Sequence, residues 1–126
     1  MANRFFQQFL FSFIHKPVKL WGTIVVGSTG AVTSYCGTGI TSVTKESGNG
    51  TYTILLDDTY AALLGMQVIT KHATTGTDLT FQILAETVAT TKTVVLGVVT
   101  SGTLANADSG DVLYFSIELR NSSVTK

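Results

Sequence analysis

At 126 residues the chain has the length of one domain, enough to bury roughly two-thirds of the surface its unfolded form exposes without help from a metal or a disulfide. Charged residues are only 13%, eight basic against eight acidic, which excludes the basic face that nucleic-acid binding through phosphates requires. The single cysteine, Cys36, cannot staple the fold.

The first element stands apart from all that follows. "FFQQFLFSFIHKPVKLWG", Phe5 to Gly22, is crowded with large apolar side chains and contains the only proline, Pro17. Read as a helix, Phe6, Phe9, Leu10 and Phe13 form one stripe of a 3.6-residue repeat, with Asn3 as the cap and Pro17 closing the segment. Read as a strand, Phe9, Phe11 and Phe13 alternate equally well. Gln7 and Gln8 interrupt the apolar run too early for a signal peptide. The stretch from Phe5 to Ile14 is also too short for a membrane span, which takes about 20 residues. Either way so short a segment is marginal alone in water and must pack on something. Phe5, Phe6, Phe9, Leu10, Phe13, Ile14 and Trp21 are therefore the candidate protein–protein contact residues.

After Pro17 the texture changes. There are 21 threonines, and β-branched residues run in short stretches separated by glycine. "KLWGTIVVG" predicts a first strand, and "AVTSYCG" and "GITSVTKES" follow it. Within the second of these, "SVT" gives way to "SGNG", whose Asn-Gly predicts a hairpin back into "TYTILL". "DDTYAALLG" predicts one helical turn, capped by Asp57 or Asp58 and ended by Gly65. "MQVITKH", "LTFQILAET", "KTVVLGVVT" and "DVLYFSIELRN" complete about eight strands. The expected fold is all-β: a single antiparallel β-sandwich or jelly-roll-like barrel at residues 18–126, preceded by an apolar arm at 1–17, a short helix or extended.

Reactive constellations are scarce. His15 and His72 have no metal-ligand spacing with Cys36 or a carboxylate pair. Asp57 and Asp58 read as helix caps, and Asp108 with Asp111 lacks the further ligands of a calcium loop. Cys36 reads as a small buried hydrophobe beside a glycine turn. No nucleophile motif or phosphate-cradling glycine loop is present. The expectation is a protein that is not an enzyme, with no cofactor and no metal.

Four stretches taken together carry a resemblance: "MANRFFQQFLFSF", "VKLWGTIVVGSTGAVT", "GTGITSVTKESGNGTYTILLDDTYAALLGMQV" and "ADSGDVLYFSIELRNSSV". Their order resembles small virion structural proteins of tailed bacteriophages. The likeness covers nearly the whole chain except Thr74 to Ala89, and its motifs are structural, so they bring no active site with them. What the resemblance implies is a capsid decoration or cement protein on the outer surface of the virion. Its partners would be the major capsid protein and further copies of itself in a homotrimer, with neither nucleic acid nor membrane involved. The alternative is a tail- or fibre-associated module contacting host glycans through loops such as 71–78 and 101–111. Those loops contain no aromatic residue.

Overall fold

Alternation of apolar and polar residues gives each strand one face for a core and one for water. The computed structural model describes residues 17–74 and 78–121. Nine strands run through them: β1 (Pro17–Val26), β2 (Val32–Gly37), β3 (Ile40–Lys45), β4 (Thr51–Leu56), β5 (Ala62–Lys71), β6 (Thr80–Glu86), β7 (Thr93–Thr100), β8 (Thr103–Leu104) and β9 (Val112–Arg120). One sheet has the order β2-β1-β9-β5; the other is β3-β4-β7-β6, with the short β8 beside β7. All pairings are antiparallel. The two sheets pack together as a sandwich, which settles the choice between sandwich and barrel. Of the arm expected at residues 1–17, Pro17 is the first residue of β1, and residues 1–16, with Phe5, Phe6, Phe9, Leu10, Phe13 and Ile14, lie outside the described residues.

The core lies between the sheets. From the first sheet come Leu20, Ile24 and Val26 on β1, with Leu113, Phe115, Ile117 and Leu119 on β9. The second sheet answers with Val43, Tyr52, Ile54, Leu56, Val94, Leu96 and Val98. Each such side chain contributes about 1.5–3 kcal/mol on full burial, and the same alternation sends its neighbours outward. Gly22 sits opposite Phe115 in the β1–β9 register. A Cβ there would come within 2.3 Å of the Phe115 ring, so the position has to be glycine for the ring to lie flat against β1.

The connections are tied by hydrogen bonds. In the loop between β3 and β4, Gly50 takes φ +62°, the left-handed region open to glycine. Its N–H donates to Asn106 Oδ1 (2.8 Å) and its carbonyl accepts from Val98 N–H (2.7 Å). The Tyr52 hydroxyl, wholly buried, donates to the Gly30 carbonyl at 2.7 Å. Burial raises the pKa of that hydroxyl, and the negative charge of Asp111 raises it further.

Two local expectations are corrected. "DDTYAALLG" forms no helical turn: Ala62 already pairs with Arg120, and β5 runs on through Gly65. Backbone partners decide this, because Ala61 N–H donates to Arg120 O (2.8 Å) and Tyr60 N–H to Val88 O (2.9 Å). Asp58 still bonds locally, to the N–H of Thr59 at 2.7 Å, and Asp57 accepts from the Thr41 hydroxyl at 2.6 Å. Cys36 is exposed and not buried. It sits on β2, an edge strand exposed along nearly all its length, directly opposite Thr23.

Candidate interaction surface

The outward side chains of the first sheet are set by register. On β1 they are Lys19, Trp21 and Thr23, alternating with the buried Leu20, Gly22 and Ile24. Thr23 stands between Cys36 on β2 and Tyr114 on β9, and Tyr114 in turn faces Ile69 on β5. One rung along, Trp21 lies opposite Ser116 and Ser116 opposite Gln67. Four strands thus bring Cys36, Thr23, Tyr114 and Ile69 into one row, with Trp21, Ser116 and Gln67 in the next.

The large apolar side chains of these rows are uncovered among the described residues, while Ser116 lies buried between them. Ile69 is 72% exposed, Trp21 62% and Tyr114 46%. They border a concavity of about 590 Å³ whose lining also takes in Gly37, the last residue of β2, and Thr38 just beyond it. Among the described residues no charged side chain lines it. Single exposed apolar residues are ordinary; three large ones around one hollow make a contiguous apolar patch. Charge begins at the rim, where Lys19 Nζ stands 5.0 Å from the centre of the Trp21 ring and 3.4 Å from Glu118 Oε1. Both partners of that ion pair are about half exposed, so it contributes little to stability.

Of the candidate contact residues named from the sequence, Trp21 is the one inside the described region, and it belongs to this surface as an outward residue of β1. Ile69, Tyr114, Cys36 and Gln67 were not expected there. The one signal they leave in the sequence is a large apolar residue out of phase with its strand, as Tyr114 is between Leu113 and Phe115.

The polar residues considered for chemistry serve the loops. Asp111, fully buried, accepts hydrogen bonds from Ala73 N–H (2.8 Å) and Asp108 N–H (3.2 Å) and lies 3.3 Å from His72 Nδ1. It fastens the ends of β5 and β9 together. Among the described residues no three His, Cys, Asp or Glu side chains gather into a group that could hold a metal ion. Comparison of the chain with protein-family models, with curated proteins and with solved structures finds no match.

Proposed function

We propose that the protein is a structural component of a tailed-phage virion, a capsid decoration or cement protein that binds the major capsid protein on the outer shell and stabilises it. The observation that carries this reading is the uncharged aromatic hollow on the first sheet, in a body whose chain begins with a run of phenylalanines. A surface of this kind works by burying area against another chain, and many weak copies on a shell gain from avidity. The resemblance of the sequence to small virion proteins supplies the setting. In this reading the protein is not an enzyme, works as a homotrimer, takes no cofactor, and binds neither nucleic acid nor membrane.

Reinforcement is tested by melting shells with and without the purified protein. Because each bound copy stabilises the assembled state by mass action, saturated shells should melt at a higher temperature than bare ones. Equal melting at saturating occupancy would refute it. The homotrimer is tested separately by mass measurement, and a stable monomer of the full chain at micromolar concentration would remove it.

A second reading, the tail- or fibre-associated module, draws on the same face. Trp21 and Tyr114 are exposed rings flanked by Thr23, Gln67 and Ser116, and apolar walls with a few polar groups describe small-molecule sites in general. The loops that this reading first relied on hold no aromatic residue.

A further inference from the structure

We propose that the hollow on the outer face of the β2-β1-β9-β5 sheet is the docking site for the N-terminal segment Phe5 to Ile14 of a second copy of this chain. The inference rests on the association reading above and names the surface through which copies join.

The chemistry of the two sides matches. The segment "FFQQFLFSFI" carries no charge and has five phenylalanines, with Gln7, Gln8 and Ser12 as its polar groups. The hollow offers Trp21, Ile69 and Tyr114 as apolar walls and Thr23, Gln67 and Ser116 as hydrogen-bonding groups, again with no charge. Its volume, about 590 Å³, falls within the ~300–1,000 Å³ of sites that enclose a ligand. A phenylalanine-rich segment in water and a bare tryptophan face in water each cost free energy; together they remove the same cost twice.

The position of Pro17 argues for a second copy over the chain's own segment. β1 starts at Pro17, already paired with Arg120, and a residue before proline favours extended backbone. That preference disfavours a tight reversal at the residue just before β1. Trp21 is only four residues inside that strand, about 13 Å at ~3.3 Å per residue. To cover it, the chain's own segment would have to reverse within Ile14 to Lys16, against that preference. Continuing outward instead, ten extended residues reach up to about 35 Å, ample to cross onto a neighbour.

The full chain provides its own probes. Trp21 is the only tryptophan and Cys36 the only cysteine, and both line the hollow. Trp21 emission and its quenching by acrylamide are followed on dilution, alongside the mass of the species. In the associated protein Trp21 should be shielded, and quenching should rise several-fold as copies separate. The variant F9S/F13S, checked by circular dichroism for an intact β-body, should show the exposed value at every concentration. In a second arm, Phe6, Phe9 and Phe13 are replaced by cysteine one at a time and oxidised with copper phenanthroline against the native Cys36. At least one variant should yield chains linked between copies.

Three results would overturn the proposal: Trp21 equally quenchable in wild type and F9S/F13S, disulfides formed only within single chains, or shielding that appears only when a soluble oligosaccharide is added. The last would assign the face to glycans. The outcome separates from that of the capsid reading. Chains that cross-link between copies while shells melt unchanged keep this inference and remove reinforcement; reinforced shells with an exposed Trp21 do the reverse.

Discussion

The two outer faces of the sandwich share one backbone design and differ in what they show to water. On the second sheet, Thr44 stands opposite Thr53 and Thr53 opposite Val95. The Thr53 hydroxyl donates to Glu46 Oε1 at 2.5 Å, and the hydroxyls of Thr87 and Thr91, between β6 and β7, join that of Thr93, the first residue of β7. Threonine suits a strand because its branched Cβ fits the pleat, and suits a surface because its hydroxyl is hydrated. The corresponding positions of the first sheet hold Trp21, Tyr114 and Ile69. These are equally good strand formers, so strand propensity cannot explain the exchange. What differs is grouping: strands of the second sheet also expose Ile83, Leu84 and Leu104, each at 42%, whereas the first sheet sets two aromatic rings and Ile69, the most exposed of them at 72%, around one hollow. An apolar patch gathered in one place costs more in water than single residues and is the better docking surface.

If that contrast is confined to the outside, the two sheets must behave alike on the inside. Ile117→Ala in β9 and Leu96→Ala in β7 each empty a fully buried position and should each cost about 2–5 kcal/mol, measured by urea unfolding. A much smaller loss in one sheet would mean that the sheets differ in packing as well as in surface. Next in size is the loop tie under the first sheet. Asp111→Ala leaves the N–H groups of Ala73 and Asp108 without their acceptor and should cost about 1–3 kcal/mol, with amide exchange rising first around Ala73.

Tyr52→Phe removes the buried bond to Gly30 and should lower stability by about 1 kcal/mol. The same hydroxyl gives a pH signature. Its folded pKa lies above the unfolded value, through burial first and Asp111 second, so the folded state holds the proton more tightly. The associated stability is whole below about pH 10 and is lost as pH rises through the folded pKa. Wild type should therefore weaken in alkali more than Tyr52→Phe does. The smallest effects belong to the faces themselves. Thr44→Ser and Ile69→Ser should each change unfolding by within about 0.5 kcal/mol, yet only Ile69→Ser should weaken association, read as mass against concentration.

Much of the body was legible in the residues. Tyr52, Ile54 and Leu56 alternate with threonines and leucine in the way a half-buried strand demands, and Asn49-Gly50 does mark the turn between β3 and β4. The misread stretch, Ala62 to Gly65, is rich in alanine and leucine, which favour helix when judged locally. It is a strand because β9 supplies its partners from the far end of the chain. Cys36 fails for a related reason: burial depends on whether a strand is central or at an edge, and that follows from sheet order. The hollow was hardest to see. Its walls come from β1, β2, β5 and β9, and only the pairing registers put Trp21, Cys36, Ile69 and Tyr114 side by side. Trp21 stands out in the sequence as the only tryptophan, while its neighbours are scattered among ordinary strands.

The pairing of β1 with β9, Pro17 opposite Arg120, bears on how the protein is made. The first sheet has β9 between β1 and β5, so it cannot close until the ribosome has released the chain through Arg120. Distant pairings of this kind slow folding, because the loop must close before any contact repays it. During synthesis β1 emerges well before β9 and must wait for its partner. Incomplete chains with exposed apolar segments are prone to aggregate. Slow translation or truncation before β9 should therefore harm this fold more than one whose strands pair with their neighbours, and chaperone demand should fall on β1 while it is unpaired.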